Sequence, residues 1–551
     1  MDTVNASRSA SAVSDIYNLR ILPDGSLEKR EGYRLLCSAE KPIRAFWEGM
    51  LRGSRRAFLL CGDAVCALDT ESGELFRIAE VSEDSGEAEF FFYRGRLYLL
   101  GGYQLLEIRE DGASYPHGYV PLVGKDWSDG VVGEPYEARN LLTSRARISY
   151  LMSELPSSVI CTDAPIGSIQ AVIRNGEVLP ESGYTVGSTR TTVTVKDSSA
   201  GDRITLYFTY RDSTDGVSDL MSCTHAEVFG GAFGSRPFLW GGEDGTVMHC
   251  AGFVSESSLS EAQLGFPESD ALYFPLGGHF TVGDGQYTVT GVGRHYDRLL
   301  IFTEGGAWMA DSTEGGTEEF PILRINSTVE TRSHGRTARL YNDPVTVGRD
   351  AVYRWSADTD ELDECNAHSI SSAVSPLIKP MLRRGGLFYD RIHNELWLYS
   401  PDLPDTVWVY SATAGGWSRF GGFSADGFIS FEGGCGFYRG SDIFIFDSAL
   451  TCDEGGEDIE AFVLLSPTDI DEHSKKRLSA LELDFSGGKL SAQILANGES
   501  KPICETTLCG SSLPLTYRRR IRAARVHAFS LKLISASEDR QRIYSVGIMI
   551  H

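Results

Sequence analysis

Phe388-Tyr389-Asp390-Arg391-Ile392-His393-Asn394-Glu395-Leu396-Trp397 is the stretch on which the fold turns. An aromatic pair runs into a charged turn, and the turn releases an apolar strand. The same order recurs in Phe92-Tyr93-Arg94-Gly95-Arg96-Leu97-Tyr98-Leu99, in His295-Tyr296-Asp297-Arg298-Leu299-Leu300-Ile301-Phe302 and in Phe437-Tyr438-Arg439-Gly440-Ser441-Asp442-Ile443-Phe444. Tyr389 and Tyr438 lie 49 residues apart, a spacing that suits one propeller blade. Short alternating or apolar runs dominate the remainder, each bounded by Gly, Asp, Asn or Pro, and helical periodicity is scarce. The expected class is all-β, an irregular β-propeller of about six or seven blades, because one four-stranded blade cannot bury both of its faces alone.

Two regions break the repeat. From 134 to 221 the pattern changes to Asn175-Gly176, Tyr184-Thr185-Val186, Thr191 to Val195 and Ile204 to Tyr210, which alternate as half-exposed strands do. From 456 to 551, Leu478 to Phe485, Leu490 to Leu495 and Ala528 to Leu533 alternate strictly. The expected organisation is an N-terminal arm at 1–43, a first propeller part at 44–133, an inserted β-sandwich at 134–221, the rest of the propeller at 222–455, and a C-terminal β-sandwich at 456–551.

Composition narrows the function. Lys plus Arg is 51 against 76 Asp plus Glu, a net charge of −25, so a protein built to grip nucleic acid is disfavoured. The eleven cysteines form no CxxC pair and read as buried thiols in a reducing compartment. The first residues carry no apolar export core, and no apolar run reaches the length of a membrane helix. HExxH, GxSxG and GxxxxGK[ST] are absent, so no catalytic residue, metal ligand or cofactor site is assigned. The acidic run Asp358 to Glu364 lacks the spacing of a calcium loop and reads as a solvated turn. One basic cluster stands out, Arg518, Arg519, Arg520, Arg522 and Arg525. On a strand, Arg518, Arg520 and Arg522 share a face. They are candidate contacts for a phosphate or a partner, set against the alternative of a solvated face paired with nearby acids.

The segment from Ile16 to Tyr33 contains Asn18, then Asp24-Gly25, then Lys29-Arg30 and Gly32. It resembles the opening of tailed-phage propeller proteins, including the nozzle proteins (tail tubular protein B) of short-tailed phages and packaged-DNA stabilisation proteins. Glu31 stands where that pattern commonly has Pro. Arg139-Asn140-Leu141-Leu142-Thr143-Ser144-Arg145 resembles the lead into their inserted domain, with Asn140 at its centre. The resemblance implies a virion protein without an active site or cofactor, assembled in the host cytoplasm. It implies a homo-oligomeric ring, hexameric in that family, at the head–tail connector or tail nozzle. The ring would contact portal, adaptor or other tail proteins and let double-stranded DNA pass without sequence recognition. A glycan-acting or glycan-binding propeller and a cellular kelch-like adaptor are the alternatives.

Overall fold

The computed structural model describes residues 3–5, 13–82, 86–124, 137–152, 159–212, 216–230, 234–311, 322–332, 337–356, 366–467, 475–496, 501–521, 525–535 and 539–550. The acidic run at 358–364 and Arg522 lie outside them. The fold is all-β, with strands joined by tight turns. At Asn175-Gly176, φ values of 50° and 88° turn the hairpin between Ile166–Arg174 and Glu177–Val178, a geometry that Gly adopts without a Cβ penalty.

Among the described residues, seven four-stranded units form a closed β-propeller. Blade 1 consists of Ile43–Leu51, Ser54–Cys61, Ala64–Leu68 and Leu75–Glu80. Blades 2 to 6 occupy 88–114, 225–281, 289–326, 338–369 and 386–421. Blade 7 takes three strands from 427–447 and its outermost strand, Gly32–Ser38, from near the N-terminus. The first strand of each blade lies against the first strand of the next, and that of blade 7 against that of blade 1. Apolar layers fill the spaces between blades. Phe58 and Leu60 of blade 1 pack with Leu97 and Leu99 of blade 2, while Ile429 and Ile443 of blade 7 pack with Leu59. Pairing the two ends of the ring in one sheet hides edges that would otherwise stay open.

The turn motif marks hairpins rather than blades. In blades 2, 4 and 6 it joins the first strand to the second, but Phe437-Tyr438-Arg439-Gly440 joins the second strand of blade 7 to the third. The 49-residue spacing therefore compares unlike positions. The first strands of blades 6 and 7 begin at Gly386 and Gly427, 41 residues apart. Every antiparallel hairpin needs such a turn, so its recurrence cannot set the blade register.

Between blades 2 and 3 the chain builds two small sheets from strands between Arg145 and Tyr210, packed around Ile148, Val172, Val193 and Leu206. The last layer is a sandwich in which the two chain ends interlock. One sheet runs Leu19–Ile21, Leu27–Lys29, Arg542–Ile550, Lys476–Ser486 and Leu515–Arg520, with Thr3–Asn5 added along Arg542–Ile550. The other runs Val13–Tyr17, Phe462–Leu465, Phe529–Ser535, Lys489–Ala496 and Pro502–Cys509. A parallel bridge from Tyr17 to Arg419 joins this second sheet to blade 6. Residues 1–43 are thus no separate arm where described: 13–29 complete the C-terminal sandwich and 32–38 complete the propeller. Among the described residues no helix is long and apolar enough to cross a membrane.

Candidate functional site

The segment 18–32 is a joint between blade 6, blade 7 and the sandwich. Asn18 takes a left-handed φ of 54° and donates its backbone N–H to the Arg419 carbonyl at 2.8 Å. Its Oδ1 accepts from Arg30 Nε at 3.0 Å and Gly421 N at 2.9 Å, and its Nδ2 donates to the Glu460 carbonyl at 2.7 Å. Asp24-Gly25 makes the hairpin turn, with Gly25 at φ 79°. Asp24 Oδ2 there accepts from Arg542 at 2.6 Å. Lys29 is buried beside the sandwich, its N–H donating to the Gln541 carbonyl, and burial lowers its ammonium pKa. Arg30 is 2% exposed and forks onto both oxygens of Asp453 at 2.8 and 2.7 Å. It also donates to the Gly421 carbonyl and lies over the Phe423 ring. A Cβ on Gly32 would stand 1.8 Å from the Cys452 carbonyl oxygen, so only glycine lets the backbones meet.

Arg20 anchors a second, buried cluster. Its guanidinium bonds Glu31 at 2.8 Å and Glu395, sits 3.9 Å from Asp390, and lies over the rings of Trp397 and Phe420. His393 bridges Asp390 at 2.6 Å and Glu31 at 3.2 Å. Burial works against the Arg20 charge, but Glu395 and Glu31 outweigh it and raise its pKa. Burial pushes Glu31 and Asp390 up. Arg20 and His393 pull both below the usual carboxylate range. Burial dominates at Glu395, whose pKa is raised. Burial also opposes the His393 imidazolium, yet the hydrogen bonds to Asp390 and Glu31 push it up to about 9.

Asp390, His393 and Glu395 place ligand atoms within 4.8 Å of one another. That is metal-like spacing, but the guanidinium of Arg20 already holds these carboxylates, and the raised imidazole pKa keeps His393 protonated. A divalent cation would have to displace one charge and deprotonate another. The arrangement fits an ion-pair lock.

Inter-blade contacts repeat this theme. His225 of blade 3 meets Glu87 and Glu89 at the start of blade 2 at 2.9 and 3.2 Å, and those bonds outweigh burial and push its pKa up to about 9. Arg294 of blade 4 meets Glu227 of blade 3, and His295 meets Asp343 of blade 5. The two histidines with raised pKa set a pH dependence. Each contributes fully below the unfolded value of about 6.5 and loses its contribution as pH rises towards about 9, on the order of 2–3 kcal/mol apiece. Urea midpoints are expected to fall across that window, and to fall less in His393→Asn. A variant that tracks the parent over the same range would dismiss the lock.

Asn140 works in the neck of the insert. It is wholly buried; its Nδ2 donates to the Tyr119 and Leu272 carbonyls, and its Oδ1 accepts from Leu142 N and Phe274 N. One side chain thus ties the segment leaving blade 2 at Tyr119 to the connection at Leu272 and Phe274 between the last two strands of blade 3. Arg518 and Arg520 lie apart from these joints, on the exposed strand Leu515–Arg520. The sequence pattern missed Arg20, Asp390, His393 and Glu395 as a group, because Arg20 meets Glu395 across 375 residues.

No family model and no curated protein matches the chain. Similar solved structures include the AfRom2 CNH domain, 9% identical, covering 76% of this chain and 99% of that one at a TM-score of 0.31. Hsv2 of Kluyveromyces lactis is 10% identical, covering 69% and 97% at 0.26. An exo-beta-1,3-galactanase from Phanerochaete chrysosporium is 8% identical, covering 84% and 95% at 0.21. Scores at this level say nothing about what the chain does.

Proposed function

We propose that the chain is a non-enzymatic building block of a tailed-phage virion, a ring subunit at the head–tail connector or tail nozzle that continues the DNA channel. The observation that carries this reading is the use made of the phage-like residues. Asn18 and Arg30 fasten propeller to sandwich, Asp24 and Lys29 tie the N-terminal hairpin into the sandwich, Gly32 lets the backbone pass Cys452, and Asn140 ties the neck of the insert to blade 3. The resemblance therefore falls on residues at the joints between propeller, sandwich and insert, the places that must hold for a ring subunit to keep its shape. A charge of −25 per copy suits a channel wall that duplex DNA slides past without sticking.

Mass spectrometry of gradient-purified particles from the source culture tests this reading. The expected result is this chain at a fixed low copy number beside portal and capsid proteins. Recovery only from the cellular soluble fraction would overturn it. A glycan-binding propeller is the second reading, favoured by an open cleft of about 440 Å³ at the rim of blades 3 and 4. Trp308 and Tyr287 line it with Asp284, Gln286 and Arg324, aromatic faces beside polar groups.

A further inference from the structure

Leu515–Arg520 is an edge strand. It pairs with Lys476–Ser486 on one side, and among the described residues no strand pairs with it on the other. Five of its six residues are exposed, and only Tyr517, packed on Phe485 at 4.7 Å, reaches the core. The register fixes which backbone groups are free. Ile521 N donates to the Ser479 carbonyl, so in the continuing ladder 519, 517 and 515 face the partner strand. The N–H and C=O of Thr516, Arg518 and Arg520 then point away from the sheet. The side chains of these same three residues share the outer face, opposite Tyr517. Leu513 and Leu515 beside them are 69% and 50% exposed. Glu482 stands opposite Arg518 in the register, but no ion pair joins a carboxylate of the described residues to Arg518, Arg519 or Arg520, and Arg518 donates to the Met549 sulfur.

Exposed edges are pairing templates, and charged side chains on them keep like edges apart. This one offers free backbone groups, two exposed leucines and three arginines on a chain of charge −25, so it resists its own kind and admits a strand of opposite charge. We infer that it is a docking edge for an acidic extended segment of a second copy of this chain, added as one more strand. Charge complementarity selects that occupant. Two copies pairing this strand with itself would bring two three-arginine runs together, and the registers centred on Arg518 or Arg519 set arginine directly opposite arginine, which is destabilising. The contact is therefore head-to-tail, the kind that closes rings rather than two-fold dimers. The inference rests on the ring reading and gives that ring one of its lateral contacts.

The test is the mass distribution of the purified full chain by sedimentation and native mass spectrometry, over a range of concentration and salt. Wild type is expected to assemble at low salt and dissociate as salt rises. The double variant Arg518→Glu/Arg520→Glu is expected to lose the assembly. So is Thr516→Pro, which removes an outward N–H while sparing the internal ladder and the charge. Unchanged melting curves establish that both variants fold. Assembly that persists in both variants overturns the docking edge and leaves the ring reading standing. A wild type that stays monomeric throughout also overturns the docking edge, and the ring reading is then decided separately by the particle mass spectrometry. If charge reversal spares assembly but abolishes retention on duplex DNA, the arginines grip phosphate and the inference falls.

Discussion

Arg30→Ala is expected to cost about 3–5 kcal/mol, enough to lower the first thermal transition sharply or prevent folding. The reason is the isolation of what it leaves behind. Asp453 is itself buried, and both of its carboxylate oxygens bond the guanidinium. Without Arg30 the charge has no partner, and Asn18 Oδ1 and the Gly421 carbonyl each lose a donor. The loss should appear first where the joint lies, in release of the sandwich from blades 6 and 7. Asp453→Asn is expected to be milder, because an amide keeps the shape and leaves no buried negative charge. Combining Arg30→Ala with Asp453→Ala should cost much less than the two added, since each removes the other's unpaired group. Urea unfolding of the four proteins measures the cycle. Strict additivity would show that Arg30 acts by packing on Phe423 alone.

What could be read from the chain, and what could not, follows from the range of the interactions involved. Hairpins were legible because a turn and its strands are local. Asn175-Gly176 demands its geometry, and Leu97, Leu299, Leu396 and Ile443 alternate or run apolar as buried strands do. Blade register was not legible, because the same aromatic–turn–apolar order serves first and second hairpins alike, as Tyr438 shows against Tyr389. The role of 13–38 was hidden for a different reason. These residues look like a free arm until their partners at Leu464, Ile543 and Phe444 are known, more than 400 residues away in the chain.

The site divides in the same way. Asn18, Arg30, Gly32 and Asn140 stood out through a resemblance, but nothing nearby says that Arg30 faces Asp453. Asp390, His393 and Glu395 sat inside the quoted repeat and passed as turn residues, because the guanidinium that gathers them comes from Arg20. The shared face of Arg518 and Arg520 was readable from strand alternation. Their position on an unpaired edge was not, since an edge is defined by which strands fail to arrive.

Arg20→Ala is expected to be as severe as the Arg30 change at neutral pH, about 3–5 kcal/mol, and to differ from it in its response to acid. In the wild type Glu31 and Asp390 titrate below their usual range, so their stabilisation is present above the unfolded values of about 4 and drains away as pH falls through the folded ones. Without the guanidinium Asp390 keeps only His393, and Glu31 keeps His393 and the more distant Arg540 at 3.6 Å. Burial, which pushes both upward, is then opposed by one cation fewer, and Glu395 keeps only His393 against its own burial. Carboxyls with raised folded-state values favour the folded state when protonated, so the variant gains relative to wild type on acidification. The difference in urea midpoint should therefore be largest near pH 7 and shrink towards pH 4. Arg20→Lys should recover only part of the loss, because one ammonium cannot fork between Glu31 and Glu395 while lying flat on Trp397 and Phe420. A penalty that stays constant across this range would mean that Arg20 holds the joint by stacking on those two rings, and that the ion pairs around it add nothing.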